Sequence, residues 1–208
     1  MKDMSFKDVM FNRHSIKNFK KGVKIPHDVM LQMLNDAASA PSSVNMQPWR
    51  CVVVESEEGK NKLHSLVRFN KRQNETSSAM ICIFGDLKAY TNTEEITRRA
   101  VEAGYMSEDI RKNVLENFVP AHVVASRQSL SDIVKMDGAL FAMQLMLVAR
   151  TYGYETNPIG GFEHKEVQEL CGLDLERYVP VMIIAIGESD YEYHPSIRLD
   201  AKEFTKFK

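Results

Sequence analysis

The sequence is short of several things at once, and each shortage removes a class of protein. Its three cysteines, Cys51, Cys82 and Cys171, stand far apart with no CxxC pair. That excludes a disulfide framework and points to reduced, buried thiols in a cytoplasmic protein. No apolar run approaches the ~20 residues that a membrane-spanning helix needs. The opening MKDMSFKDVM lacks the apolar stretch of a signal peptide. There is no surplus of either charge: 27 Lys and Arg face 28 Asp and Glu, a net charge of -1. A general nucleic-acid binder needs a basic surplus for phosphate contacts, so neither nucleic acid nor a membrane is expected as a partner.

Short motifs are scarce as well. The only paired glycines are Gly160 and Gly161, so there is no GxGxxG turn for a Rossmann dinucleotide site. A Walker A loop, HExxH and GxSxG are all missing. The six histidines, His14, His27, His64, His122, His164 and His194, never fall at zinc-ligand spacing, so no metal is expected. Asp and Glu are plentiful, but no pair stands in an apolar setting, and they read as solvated helix faces.

What is present suits one globular domain spanning residues 1–208: 44% apolar and 26% charged residues, with no repeat, linker or low-complexity tract. Ser5 and Asp8 resemble a capping box before a short helix carrying Phe6, Val9 and Met10. A basic, non-helical stretch runs from Arg13 to Lys24. Pro26 at the first helical position opens a helix with Met30, Met33, Leu34, Ala37 and Ala38 on one face, stopped at Pro41-Ser42-Ser43. Strands are predicted at Arg50 to Glu55, Ala79 to Gly85, Glu155 to Pro158 and Val179 to Ile186, the second covered on both faces. Helices are predicted from Glu57 to about Phe69, from Ser131 as cap to about Tyr152, and from Glu163 to near Gly172. Ala139 to Ala149 is apolar almost all round, the pattern of a central buried helix. Charge-rich residues 93–127 read as a helical insertion or lid. Residues 188–208 read as a polar tail with little core material. Strands separated by helices give a mixed α/β or α+β layered fold.

Three segments concentrate hydrogen-bonding chemistry. In extended Arg13-His14-Ser15-Ile16-Lys17, residues 13, 15 and 17 share one side, so two cations and a hydroxyl could clamp a phosphate; a solvated basic turn is the plainer reading. Pro41-Ser42-Ser43-Val44-Asn45-Met46-Gln47-Pro48-Trp49 offers hydroxyls and amides on a stiff backbone, as a planar heteroaromatic ligand requires. A helix-stop loop with Trp49 in the core explains its prolines, though not its four polar residues together. Asn157-Pro158-Ile159-Gly160-Gly161-Phe162 could bring backbone close to a ligand ahead of a helix start, or be a plain turn.

In this order and spacing, the three segments resemble the FMN-dependent nitroreductase family, and Ile197-Arg198-Leu199 is similar to that family's C-terminal basic phosphate contact. SSAMICIFGDLKAY (77–90), AMQLMLVAR (142–150) and RYVPVMIIAIG (177–187) resemble the Bacillus-type NAD(P)H nitroreductases and their quinone-reductase-like members.

The resemblance implies an α+β fold: a three-layer α/β/α sandwich around a mixed, mainly antiparallel central sheet, paired into an intertwined homodimer with a C-terminal arm crossing to the partner. It implies bound FMN as the cofactor and NADPH or NADH as co-substrate. Arg13, His14, Ser15 and Lys17 would hold the ribityl phosphate and the pyrimidine side of the flavin, with Arg198 as a second phosphate cation. Pro41, Ser42, Ser43 and Asn45 would come from the partner subunit to lie along the ring, helped by Gln47. Asn70 resembles a residue at the ring's polar edge, with Lys71 or Arg72 as neighbours that could take that role. Pro158, Ile159, Gly160 and Gly161 would pack near the ring, one backbone N–H facing N5. The implied reaction is ping-pong hydride transfer from NAD(P)H through flavin N5 to a small nitroaromatic, quinone or similar electron-poor acceptor, with no side-chain nucleophile. A flavin-binding or flavin-handling protein without an exogenous acceptor is the alternative. Some relatives carry an acidic residue where Gly160 stands and a lysine where Ser196 stands.

Overall fold

The computed structural model describes residues 4–191, 193 and 195–208; expectations touching residues 1–3, Glu192 or His194 fall outside them. In chain order the elements are α1 (Phe6–Phe11), α2 (His27–Ala37), β1 (Trp49–Val54), α3 (Glu57–His64), α4 (Lys71–Thr76) and β2 (Ala79–Asp86). Then come α5 (Thr93–Glu102), α6 (Glu108–Asn113), α7 (Val119–Val123), α8 (Arg127–Thr151), β3 (Glu155–Ile159), α9 (His164–Leu170), β4 (Tyr178–Gly187) and α10 (Ala201–Phe204).

Every residue of β2 is buried, and its side chains alternate between two cores. Ala79, Ile81 and Ile83 point to the layer holding α2 and α8, while Met80, Cys82 and Phe84 point to the layer holding Leu63, Val67 and Val167. β4 repeats the division, with Ile184 and Ile186 on the first side and Ile183 and Ala185 on the second. A period of two with both faces covered is what an apolar, β-branched run dictates. The result is an α/β/α sandwich around a four-stranded antiparallel sheet of order β1-β2-β4-β3. One isolated parallel bridge, Ser15 to Thr156, extends it beyond β3.

α8 lies directly on this sheet. A Cβ built on Gly85 would stand 2.5 Å from Val134 Cγ2, and one on Gly138 would stand 2.8 Å from Val181 Cγ2. Such an approach leaves no room for a side chain at either position.

Several elements differ from the sequence expectation. α8 starts earlier: Ser126, not Ser131, is the cap, its Oγ accepting the Ser129 N–H at 3.1 Å. Ser131 is instead buried inside the helix. Pro26 occupies the cap position of α2, one place before the first helical residue. The helix expected from Glu57 to Phe69 ends at His64, and a turn containing Arg68 (φ 40) leads into the separate α4. Nor is α8 buried all round. Phe141, Ala142, Leu145 and Ala149 face the core, but Met136, Leu140 and Met143 form an exposed row at i, i+4 and i+7. The composition was that of a buried helix; one chain supplies cover for one side only. The tail also carries exposed apolar side chains, Ile197, Leu199, Phe204 and Phe207.

Candidate functional site

The basic segment near the N-terminus is fixed by its backbone. Ile16 N–H donates to the Thr156 carbonyl (3.1 Å), Phe19 N–H to Thr76 Oγ1 (3.1 Å) and Lys17 N–H to Tyr191 Oη (2.9 Å). Ile16 and Phe19 are buried anchors, so the residues between them turn outward. Arg13, His14, Ser15 and Lys17 therefore line a hollow of about 410 Å³, closed on its other side by Tyr191, Ser196 and Arg198. Three of these are cations, and among the described residues no carboxylate lines the hollow.

Two atoms there lack a partner: Arg13 Nη1 and His14 Nε2 are buried without a hydrogen bond. The His14 ring stacks on Tyr193 with centroids 3.4 Å apart. Burial, then repulsion from Arg198, lowers the Arg13 pKa, while burial and the neighbouring Arg13 lower that of His14. Arg198 is steadied through Nη1 by Ser196 Oγ at 2.7 Å, so Ser196 orients a cation where some relatives would supply one. A small dianion with several acceptor oxygens satisfies this donor set, and a phosphate group fits it.

The glycine turn adjoins this segment, because β3 leads into it from the Ser15 to Thr156 bridge. Ile159 is buried, Pro158 is half-buried, and a Cβ on Gly160 or Gly161 would meet open space. Nothing in this chain requires glycine there by packing, so the open face is available to a ligand. Asn70 lies between Arg68 and Arg72, which are tied to residues flanking the two segments. Arg72 Nε donates to Asn18 Oδ1 (2.9 Å), Arg68 Nε pairs with Glu163 (2.9 Å), and Asn70 Oδ1 itself accepts from Gln73 Nε2 (3.0 Å). Lys71 and Arg72 are both exposed beside it.

The loop 41–47 lies elsewhere. It leads into β1, and the sheet order sets β2 and β4 between β1 and β3, three spacings of ~4.8 Å or about 14 Å. One chain thus brings together the first segment, the glycine turn and Arg198, and leaves Pro41, Ser42, Ser43, Asn45 and Gln47 on the opposite edge of the sheet.

That loop is held in an uncommon conformation. Val44 (φ 48), Asn45 (φ 54) and Gln47 (φ 50) are all left-handed, which costs about 1–3 kcal/mol for a residue such as valine. The loop is braced internally by Gln47 N–H donating to Ser42 Oγ at 3.1 Å. From outside, Asp137 accepts from Ser43 N–H (3.0 Å), Asn92 Nδ2 donates to the Met46 carbonyl (3.1 Å) and Arg50 Nη1 donates to the Gln47 carbonyl (3.2 Å). Arg50 is itself backed by the fully buried Asp86, which also takes two bonds from Arg177. Asp86 and Asp137 are thus buried carboxylates and not solvated ones, a correction to the reading of the acidic residues. Asp137 stands alone just ahead of the apolar 139–149 run, and its partner Ser43 could not be read from spacing.

Two of the three thiols are held in the protonated form. Burial pushes Cys51 up to about 12, and the adjacent Cys171 thiol together with burial holds Cys82 well above the usual thiol value. No helix among the described residues is long and apolar enough to cross a membrane.

Comparison with known proteins agrees with this fold. Residues 10–188 match the model of the nitroreductase family. A Bacillus subtilis protein named as a candidate NAD(P)H nitroreductase, YdgI, is 42% identical over 208 residues, covering 100% of both chains. A protein of Lactiplantibacillus plantarum named CLA biosynthesis enone reductase is 37% identical over 201 residues, 96% of this chain and 93% of its own. Among solved structures, a candidate nitroreductase from Exiguobacterium sibiricum in complex with FMN superposes with a TM-score of 0.95 at 43% identity, over 100% of this chain and 99% of that one. With the fold, the order of its site segments and this family match all pointing one way, the chain belongs to the nitroreductase family.

Proposed function

We propose that this chain is an FMN-dependent NAD(P)H oxidoreductase that reduces small nitroaromatic, quinone or similar electron-poor acceptors. The observation that carries the reading is the cationic hollow in which Arg13 Nη1 and His14 Nε2 stand buried and unpartnered beside Lys17 and Arg198. The similarity to a protein solved with FMN supports the same assignment.

Arg13, Ser15 and Arg198 hold the phosphate, Arg13 as a forked donor. His14 and Lys17 face the pyrimidine side, where Lys17 stabilises negative charge. Asn70 meets the polar edge, and Pro158, Ile159, Gly160 and Gly161 form the floor with a backbone N–H toward N5. FMN held there would supply hydride chemistry at its ring, linking NADPH or NADH to the acceptor in a ping-pong sequence. The side chains position and polarise, and none acts as a nucleophile. Gly160 leaves the floor free of acidic charge, which suits flat neutral acceptors; the enone named for the L. plantarum relative is of that electron-poor kind.

Pro41, Ser42, Ser43, Asn45 and Gln47 complete the site from a second copy. The separation of β1 from β3 supports this, as does the exposed apolar row Met136, Leu140 and Met143, which a homodimer would cover. We read residues 1–208 as one FMN-binding domain, 93–127 as a wall of the pocket mouth and 188–208 as an arm to the partner. The free thiols support a cytoplasmic setting.

The test is the visible spectrum of FMN-reconstituted protein under anaerobic conditions, before and after NADPH or NADH. Bleaching is expected, with recovery on adding a quinone or nitroaromatic. Bound flavin that stays oxidised with both donors would move the assignment to a flavin-handling protein. Failure to bind flavin would overturn the site.

A further inference from the structure

The turn 42–47 is more firmly held than a surface turn needs to be. Three of its residues are left-handed, one of them the β-branched Val44, and left-handed valine is a conformation the chain does not keep without restraint. Asn45 can adopt it at little cost, so the restraint has to act on its neighbours.

Ser43 sits immediately before this left-handed stretch, and its N–H is bonded not by the loop but by Asp137 Oδ2, 94 residues away in sequence, at 3.0 Å. Asp137 is 6% exposed. A carboxylate on the inner side of a helix is costly unless its hydrogen bonds serve a purpose. The pocket around it is lined mainly by apolar or aromatic groups such as Met46, Tyr90, Leu130 and Val134, with His122 and Asp86 also lining it, and has room for about 10 Å³ of free volume. Asp137 is therefore largely shielded from bulk water, and an amide N–H is a strong local attraction there. The loop cannot relax to a right-handed path without drawing Ser43 away from that acceptor.

We propose that Asp137 is a positioning residue: by accepting the Ser43 N–H it fixes the 42–47 turn in its left-handed form, so that the turn meets FMN already shaped for the ring. This rests on the reading that the turn lies along FMN, and it adds to that reading a residue on α8 that touches no ligand. Preformed binding surfaces lose less conformational freedom on binding, so removing the clamp should appear as weaker flavin binding together with a looser free loop.

The experiment uses full-length chain with Asp137→Leu, Asp137→Ala and Asp137→Asn. Asparagine keeps an oxygen acceptor for the Ser43 N–H, whereas leucine and alanine do not. Amide hydrogen exchange of flavin-free protein is expected to speed up at Ser43, Asn45, Met46 and Gln47 in the Leu and Ala variants, with exchange in β2 and β4 unchanged, and to stay near wild type in Asp137→Asn. FMN dissociation constants, read by quenching of flavin fluorescence, should rise about 10- to 100-fold for Leu and Ala and less than about threefold for Asn. Alanine guards against misfolding of the leucine variant. Unchanged exchange at 43–47 in both apolar variants would overturn the proposal, and so would Asn behaving like Leu. If wild-type protein binds no FMN, the function proposed above falls, while the exchange measurement still decides the role of Asp137.

Discussion

The backbone N–H of Ile16 donates to the Thr156 carbonyl at 3.1 Å, and that bond ties the basic segment to the strand that ends in the glycine turn. Neither segment is distinctive alone. Their value comes from being side by side, with Asn18 and Arg72 linked at 2.9 Å and Arg198 returning from the tail to the same hollow. On the reading proposed above, a phosphate and a ring face would rest side by side there.

Arg13 is the first residue to test. Its buried, unpartnered Nη1 should lie closest to the phosphate charge. Arg13→Ala is expected to raise the FMN dissociation constant about 10- to 150-fold, the loss of a charge-assisted hydrogen bond worth roughly 1.5–3 kcal/mol. Thermal denaturation of the flavin-free variant should match wild type. Tight FMN binding by Arg13→Ala would remove the clamp from the assignment.

His14 gives a prediction in pH. Burial and the field of Arg13, Arg150 and Arg198 lower its pKa from 6.5 in the folded chain. Between that lowered value and 6.5 the unfolded chain binds more protons, so stability rises with pH there. The contribution is complete above about 6.5 and is lost as pH falls through the window. Flavin-free protein should therefore lose melting temperature on acidification below 6.5, and His14→Gln should flatten that slope. A bound phosphate dianion reverses the local field, so the His14 ring proton followed by NMR should titrate at higher pH once FMN is added. A titration that FMN does not move would leave His14 outside the FMN site.

The closeness of α8 to the sheet is testable at Gly85. A Cβ there would approach Val134 Cγ2 to 2.5 Å and the Val134 carbonyl to 3.1 Å. Gly85→Ala is expected to cost about 1–3 kcal/mol, or about 2–12 °C in melting temperature for a chain of this size. Val134→Ala in the same chain should recover part of the loss, since it clears the clash while making a small cavity. A Gly85→Ala variant as stable as wild type would mean that α8 sits higher above β2.

The sandwich was legible because its signals are local. Ala79 to Asp86 and Tyr178 to Gly187 are long apolar, β-branched runs, and nothing but covered central strands accommodates them. The cap of α8 was misplaced because Ser126 and Ser131 look alike in sequence, and only the bond from Ser129 N–H distinguishes them. Leu140 and Met143 read as core because composition does not tell a side covered by the same chain from one awaiting another. For the site, the clusters of Arg13 to Lys17 and Pro41 to Trp49 were visible as unusual polar groupings. Asp137, Asn92 and Arg50 were not, since each acts on the 42–47 turn through a partner fixed only by tertiary packing. A single polar residue carries no spacing to recognise.

The separation of β1 from β3 leads to a stricter test of the two-copy site. If Arg13 and the 42–47 turn serve the same flavin from different chains, each defect damages both sites of its own homodimer. Asn45→Val should weaken FMN binding because a β-branched residue resists the left-handed conformation seen at φ 54. A mixed dimer of one Arg13→Ala chain and one Asn45→Val chain then has one site carrying both defects. Its other site has Arg13 from the second chain and Asn45 from the first, and it is intact. Co-refolding two weakly binding variants should therefore restore tight FMN binding at about one flavin per mixed dimer, with bleaching by NADPH or NADH at that site. If each site were built within one chain, no combination of the two would contain an intact one, and titration of the mixture would show only the weak affinities of its parents.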